Sequence, residues 1–333
     1  MKTYNVTIVG ATGIVGATTL SILEERGFPI NNLYLVASKR SIGEKRLFRG
    51  KSFTVESVET FDFSKSQICF FCTGNEISSQ YAELAASLGN IVIDKSSFFR
   101  YHQEVPLIVP EVNAETMEAQ KKNIIANPNC NTIPLVVALK PIYDVVGIER
   151  MNVATYQSVS GSGKEGVAEL SEQTADLLKG NAIQSKVYSQ QIAFNVLPFI
   201  DTFHDNGYTK EEMKIIWETQ KIFADDKIAI NPTAVRVPVF YGHSAAVHIE
   251  TKDKISVKQA TALLANAPGV KLVAEPTPVK DAAGKDAVYV GRIRKDISHE
   301  KGLNLWVVAD NLRKGAALNA VQIAEALVRD GLC

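Results

Sequence analysis

The chain reads as an α/β protein: a Rossmann-like, doubly wound and mostly parallel sheet, followed by an α+β domain with a large mixed sheet. Three observations predict this. Up to Ala126, strand-like apolar runs alternate with helix-length segments, the pattern of a parallel sheet covered on both faces. A glycine-spaced turn directly follows the first of these strands. After Pro141 the alternation gives way to long strands with short or no crossovers, as in a mixed sheet with helices on one face. Residues 1–130 are assigned to the first domain and 131–312 to the second. The terminal helix, within 313–333, is expected to return to the first.

Asn5–Val9 is the first strand. Gly10-Ala11-Thr12-Gly13-Ile14-Val15-Gly16 follows, and then a helix over Ala17–Arg26 that ends at Gly27. Strand, glycine turn and helix in this order suit a dinucleotide, because glycines let the backbone close on a pyrophosphate at the helix N-terminus. The second strand, Leu33–Ala37, runs into Ser38-Lys39-Arg40-Ser41-Ile42-Gly43. An acid there would bind a ribose 2′-hydroxyl. Cations and hydroxyls suit a 2′-phosphate instead and favour NADP over NAD. Further strands are expected at Ser52–Val55, Ile68–Phe71, Ile91–Asp94 and Asn123–Ala126, with helices at Ile77–Leu88 and Ala114–Lys121. Three polar turns fall at carboxyl ends of these strands, where ligands of such sheets bind: Thr73-Gly74-Asn75, Lys95–Arg100 and Asn127–Thr132.

In the second half, strands are expected at Arg150–Gln157, Ala234–Val239, Ser244–Glu250, Ala287–Ile293 and Leu303–Ala309, and helices at Lys164–Lys179 and Thr209–Phe223. Thr209 and Glu212 have capping-box spacing. Met213, Ile216, Trp217 and Gln220 form a stripe that reads as buried. Glu211 and Lys214 share another face, as a ligand-binding pair or a solvated ion pair.

Of the 333 residues, 46% are hydrophobic and 22% charged, and 36 cations balance 36 acids. Zero net charge offers no field to nucleic acid or an anionic membrane. No apolar run approaches the ~18 residues of a membrane span, and no signal peptide is expected at the start, because its apolar stretch breaks at a glycine turn. Four cysteines, Cys69, Cys72, Cys130 and Cys333, form no disulfide framework, and the cytoplasm is the natural compartment. Cys69 and Cys72, three apart on a strand, point to opposite faces, share no metal and read as structural. No metal site is expected.

Cys130 stands where a strand gives way to a helix containing Pro134 in its first turn. A thiolate is stabilised at such a helix start. The residue is a nucleophile or a small buried hydrophobe. Arg236 interrupts an apolar strand, which is often simply a solvent-facing position. Among five histidines, His243 has the best loop-top placement for acid–base work, whereas His248 reads as packed within a strand.

Together these segments resemble the aspartate-β-semialdehyde dehydrogenase family over nearly the whole chain. The resemblance rests on Gly10–Gly16, Ser38–Gly43, Asp94–Arg100, Asn127–Cys130, Tyr156–Gly161, Glu211–Lys214, and Arg236 with His243 seven residues on. It implies a Cys130 nucleophile, a His243 general acid/base and a Gln157 that orients the acyl-enzyme; in the chemistry that follows, protonated His243 can supply a proton as the thiol leaves. Arg236 is similar to the family's α-carboxylate ligand and Glu211 to its α-amino ligand. Arg100, Asn129 and Lys214 correspond to its phosphate site. For NADP the resemblance implies Gly10, Thr12, Gly13, Ile14, Val15, Ser38, Arg40, Ser41, Thr73, Ser160, Gly161 and Asn311. The implied reaction is NADPH-dependent reduction of β-aspartyl phosphate to aspartate-β-semialdehyde and phosphate, on the route to lysine, methionine and threonine, by a homodimer. The alternatives are an N-acetyl-γ-glutamyl-phosphate reductase, which has no charged amine for Glu211 to bind, and a silent paralogue that only binds NADP. Cys72-Thr73-Gly74-Asn75 departs from the family's usual Ser-Ala-Gly-Gly.

Overall fold

The computed structural model describes residues 2–119 and 122–332. The chain divides into two compact units. One comprises the residues up to Asn129 together with those from Ala316 onward, and the other spans Cys130–Gly315. Among the described residues no helix is long and apolar enough to cross a membrane.

The first unit is built on a seven-stranded sheet: β1 (Tyr4–Val9), β2 (Ile30–Ala37), β3 (Lys45–Phe48), β4 (Lys51–Ser57), β5 (Ile68–Phe71), β6 (Ile91–Asp94) and β7 (Ile124–Ala126). Their order is β3-β4-β2-β1-β5-β6-β7, so the winding reverses between β1 and β5. All pairs are parallel except β3 with β4. β5 and β6 are buried throughout, as strands covered on both faces must be. The Leu318–Arg329 helix packs in this unit through Ala320, Val321 and Ala324, and Arg26 closes a bidentate ion pair on its Glu325 at 2.7 Å. The helix expected over Ala114–Lys121 is a short turn at Pro110–Asn113 followed by a tighter one at Ala114–Ala119, and the remainder lies outside the described residues.

The second unit carries a six-stranded sheet: β8 (Ile148–Gln157), β9 (Ala229–Arg236), β10 (His243–Thr251), β11 (Val270–Leu272), β12 (Val288–Lys295) and β13 (Gly302–Ala309). Its order, β11-β12-β13-β10-β8-β9, mixes parallel β8/β9 and β11/β12 pairs with antiparallel ones. β9 begins five residues before the expected start. Pro232 lies inside it, which an edge strand tolerates because an outward position needs no N–H donor. The Thr132–Val146 helix covers one face and buries ten of its residues.

The other face is open along the alternate residues Asn152, Ala154, Tyr156, Ala246, His248, Asn304 and Trp306. A polar chain crosses it. Tyr208 donates to Asn231 at 2.8 Å, Asn231 to Asn152 at 3.3 Å, and Asn152 to His248 Nδ1 at 3.2 Å. The other His248 nitrogen meets Asp296 at 2.7 Å. The expectation of a packed His248 is thereby corrected: the alternation of β10 turns it to the open face, where Asp296 and Asn152 satisfy it.

The Lys210–Phe223 helix also departs from expectation. Its capping box forms, with Glu212 N donating to Thr209 Oγ1 and Thr209 N to Glu212 Oε2. Its buried stripe, however, is Glu211, Ile215, Glu218 and Ile222, flanked by Glu212 and Thr219, while Trp217 is 40% exposed. The carboxylates are buried where partners await them. Ala234 N donates to Glu212 at 2.9 Å, and Glu211 is engaged as described below.

Candidate active site

In the first unit the glycine turn is shaped by close approaches. Gly10 has φ +83°, and a Cβ there would lie 2.5 Å from the Cys72 carbonyl oxygen. At Gly16 a Cβ would sit 2.2 Å from Gly10 O. Neither place admits another residue. Gly13 starts the Ile14–Glu25 helix with extended backbone and no side-chain cap, and the first turn carries no acid. The backbone donors of Ile14 and Val15 thus remain at an uncapped, positive helix end. This cradle fits a dinucleotide pyrophosphate.

At the end of β2, Ser38, Lys39 and Arg40 are exposed, and Ser41 meets Thr12 across the turn at 3.1 Å between hydroxyl oxygens. Of the two cations, Lys39 is engaged by Glu59, whereas Arg40 makes no ion pair among the described residues. Thr73 faces Ser78 at 3.3 Å, and Ser78 donates to the buried Asp94. Arg100 is buried after β6, its Nη2 donating to Lys95 O at 2.8 Å. Asn129, the last residue of this stretch of the unit, is also buried.

The second unit begins with Cys130, half-buried two residues ahead of the Thr132–Val146 helix. Gly315 comes against it: a Cβ at 315 would lie 3.0 Å from the Cys130 Cβ. Asn131 Nδ2 lies 3.8 Å from the Cys130 sulfur and donates to Glu211 Oε1 at 3.1 Å. Gln157 Nε2 approaches the same oxygen at 3.4 Å, and Lys214 Nζ holds Glu211 Oε2 at 3.0 Å and Asp201 at 3.2 Å. Burial works against the Lys214 charge, but Glu211 and Asp201 outweigh it and raise its pKa.

Strand register supplies the rest. Gln157 and Arg236 are partners at the ends of the parallel β8 and β9, and His243 opens the antiparallel β10, so all three meet where these neighbouring strands end. Arg236 is buried rather than solvent-facing, and its Nη1 donates to Ser158 O at 2.8 Å. Gly161 leaves it room, since a Cβ there would lie 2.8 Å from Arg236 Nη1 and 3.4 Å from His243 Nε2.

His243 Nδ1 accepts from Ser158 N at 3.0 Å, which puts the proton on Nε2. That buried Nε2–H has no hydrogen-bond partner among the described residues. Burial first, and the Arg236 charge second, push the imidazole pKa down from 6.5 to about 3, although Glu211 pulls it up. Both causes favour the neutral ring.

Ser160 and Asn311, both expected at the cofactor, hydrogen-bond each other at 3.0 Å. Asn311 Oδ1 also accepts from Ser158 Oγ at 3.1 Å and Gly242 N at 2.9 Å. Three residues at this site were given no role from the sequence: Ser158, Asn131 and Gly315. The first two lie within the Tyr156–Gly161 and Asn127–Thr132 stretches, which is the only local signal they carry.

The comparisons with known proteins bear on this geometry. A family model described as the semialdehyde dehydrogenase NAD-binding domain matches residues 5–120, and one described as the semialdehyde dehydrogenase dimerisation domain matches residues 139–314. The aspartate-semialdehyde dehydrogenase of Shewanella sp. strain DB6705 is 58% identical over 332 residues, 98% of each chain. The chain belongs to the aspartate-semialdehyde dehydrogenase family. Aspartate-semialdehyde dehydrogenase 2 of Vibrio cholerae is 59% identical over 331 residues, again 98% of each chain. A crystal structure of aspartate semialdehyde dehydrogenase II from Vibrio cholerae, complexed with ASA, superposes with a TM-score of 0.98 at 57% identity, covering 99% of both chains. As a member of this oxidoreductase family the chain carries a nicotinamide-dinucleotide domain at residues 5–120 and the family's dimerisation domain.

Proposed function

We propose that this member of the family reduces L-β-aspartyl phosphate to L-aspartate-β-semialdehyde with NADPH, through a thioester on Cys130, in amino-acid biosynthesis. The observation that carries the reading is the cluster of strand ends where Gln157, Arg236 and the His243 Nε2–H, unpartnered among the described residues, meet, with Glu211 linking Gln157 to Asn131 beside Cys130.

The two ends of an aspartyl substrate match the charges there. Arg236 pairs with the α-carboxylate and Glu211 with the α-ammonium. The phosphate roles fall to Lys214, Arg100 and Asn129. The Cys130 thiolate attacks the acyl carbon, the C–O bond to phosphate breaks, and phosphate leaves with that electron pair. Gln157 steadies the resulting thioester. When bound, the reduced nicotinamide supplies a hydride to this acyl group. The oxyanion that follows is held by His243 Nε2–H, a neutral donor that requires no prior protonation. Its collapse expels the Cys130 thiolate and frees the aldehyde. An imidazolium forms only if an entering anion offsets the desolvation, and it could then protonate the departing sulfur.

For the dinucleotide we infer the Gly10–Val15 turn for the pyrophosphate, and Ser38, Arg40, Ser41 and Thr12 for the 2′-phosphate. Arg40, exposed and without an ion pair among the described residues, supports NADP over NAD. Thr73, Ser160, Gly161 and Asn311 complete the proposed contacts. We further propose that the open sheet face, with Tyr156 and Trp306 rings 5.4 Å apart, carries the homodimer contact. The described cysteines are unbridged, which supports a cytoplasmic setting.

The test is phosphate-dependent NADP reduction with aspartate-β-semialdehyde. Turnover that requires phosphate supports the reading. Intact dinucleotide binding without turnover overturns it.

A further inference from the structure

The first unit holds a second thiol in a reactive setting. Cys72 follows β5 and Lys95 follows β6, and these strands pair in parallel up to Phe71 opposite Asp94. The two residues are therefore the next pair in register, and Lys95 N donates to Phe71 O at 3.1 Å. The Lys95 side chain turns inward. Its Nζ lies 3.2 Å from the Cys72 sulfur and 2.5 Å from Thr19 Oγ1. Thr19 Oγ1 is in turn 3.6 Å from the sulfur and donates to Val15 O at 2.8 Å. No carboxylate lies within ion-pair distance of Lys95 among the described residues.

Cys69, three residues earlier on the same strand, sets the contrast. It is fully buried, its sulfur meets Ser66 Oγ and Asn90 Oδ1 rather than an amine among the described residues, and burial pushes its pKa up to about 12. Such a thiol is inert. Cys72 is half-buried beside a cation, the combination that makes a thiol oxidisable. Burial also lowers the Lys95 pKa, easing release of its proton, while Cys72 and Asp94 oppose that shift.

We propose that Cys72 and Lys95 form an oxidation-sensitive pair, in which a hydroperoxide converts the thiol to a sulfenic acid and the lysine amine then closes an S–N crosslink. In the first step the thiolate attacks one oxygen of hydrogen peroxide, the O–O bond breaks, and the other oxygen leaves as hydroxide, which takes a proton from the Lys95 ammonium to become water. Sulfur loses two electrons and the peroxide gains them. In the second, the Nζ lone pair attacks sulfur, the S–O bond breaks, and hydroxide departs with an amine proton as water. No electrons are exchanged there. A thiol reductant reverses the crosslink by attacking sulfur.

The position gives the crosslink a consequence. Cys72 N donates to Val9 O at 2.8 Å, and the Cys72 carbonyl fills the space a Cβ of Gly10 would need. A bond that draws the ends of β5 and β6 together strains the strand end that carries the glycine turn. It also removes the Lys95 charge beside Thr19 on the Ile14–Glu25 helix.

The experiment treats the full chain with hydrogen peroxide and maps the peptides released by a glutamate-specific protease, which cuts after Glu76 and Glu83 and so separates Cys72 from Lys95. The expected product joins the Cys72 and Lys95 peptides, lighter than their sum by one pair of hydrogens, and dithiothreitol releases it. Lys95→Met should instead give a dimedone-trappable sulfenic acid on Cys72 without the link. Lys95→Arg, which keeps the charge, serves if the methionine variant fails to fold. Dinucleotide affinity of the linked protein should fall about fivefold or more and return on reduction. Higher oxides or dimedone adducts on wild-type Cys72 without the link overturn the proposal. So does an unmodified Cys72 where Cys130 is oxidised. Unchanged affinity of the linked protein overturns the coupling to the glycine turn.

Discussion

At the glycine turn of the first unit the working groups belong to the backbone, whereas around Cys130 in the second unit they are side chains. The turn is defined by what is missing. Gly10 and Gly16 clear the space in which Cys72 O and Gly10 O lie, and an uncapped helix start is left for an anion. Around Cys130 nearly every polar group is already engaged. Glu211 is held by Asn131, Gln157 and Lys214, and the His243 ring is fixed through Nδ1. The first arrangement should suffer most from an added methyl group. The second should suffer most from a removed side chain, since fixed partners leave no substitute in reach.

Two substitutions test the side-chain half of that contrast. Cys130→Ala should lower turnover on the order of 10⁴-fold or more, because no other group supplies the acyl acceptor. Dinucleotide affinity, read by fluorescence titration, should stay unchanged. Substantial residual turnover would place the nucleophile elsewhere. His243→Gln should cost about 10²- to 10⁴-fold in kcat, the range for a positioned proton donor.

His243 also leaves a mark on stability. Its folded pKa, about 3, lies below the ordinary 6.5, so between these values the unfolded chain binds more protons. The contribution is full above 6.5 and is lost as pH falls through that window, by about 1.4 kcal/mol per pH unit at the steepest. Urea unfolding at pH 7 and pH 5 should show a larger loss for wild type than for His243→Gln. Equal losses would mean that the ring is not held neutral.

Gly16→Ala tests the backbone half. The new Cβ would meet Gly10 O at 2.2 Å, and overpacking of this kind costs about 1–3 kcal/mol. Unfolding midpoints should drop and dinucleotide affinity should fall, while the surroundings of Cys130, probed by thiol alkylation, stay as they were. An alanine accommodated with full affinity would show that the turn does not depend on the missing methyl group.

The same contrast governs what could be read in advance. The glycine turn, β1, β5, β6 and the capping box of the Lys210–Phe223 helix are legible because their signals lie within a few residues of one another. β3 and β11 went unread, being short and lacking alternation. β9 was misplaced because Pro232 argues against a strand until its edge position is known. On the Lys210–Phe223 helix the apolar Met213–Trp217 stripe looked like the buried one. The carboxylates of Glu211 and Glu212 win that place because Asn131, Gln157 and Ala234, distant in sequence, satisfy them. Likewise the burial of Arg236 follows from a strand register that no local pattern encodes. The residue types at the candidate site were readable. The pairing that holds Glu211 and keeps His243 neutral was not.

The smallest effect is expected where a side chain serves the backbone-led unit. Arg40 is exposed after β2 and makes no ion pair among the described residues, whereas its neighbour Lys39 is drawn to Glu59 at 2.5 Å. A 2′-phosphate therefore has Arg40, rather than Lys39, as its readily available cation, with the Thr12 and Ser41 hydroxyls beside it. Exposed charge contacts are weak, so Arg40→Ala should weaken NADPH by roughly fivefold and leave NADH unchanged. Lys39→Ala should do less, since Glu59 already holds that ammonium. Both effects should shrink at high salt, where exposed charges are screened. Titration of the two variants with each dinucleotide, at low and high ionic strength, separates these outcomes. Equal losses for NADPH and NADH would take the 2′-phosphate away from Arg40, and a larger loss for Lys39→Ala would hand it to the neighbour.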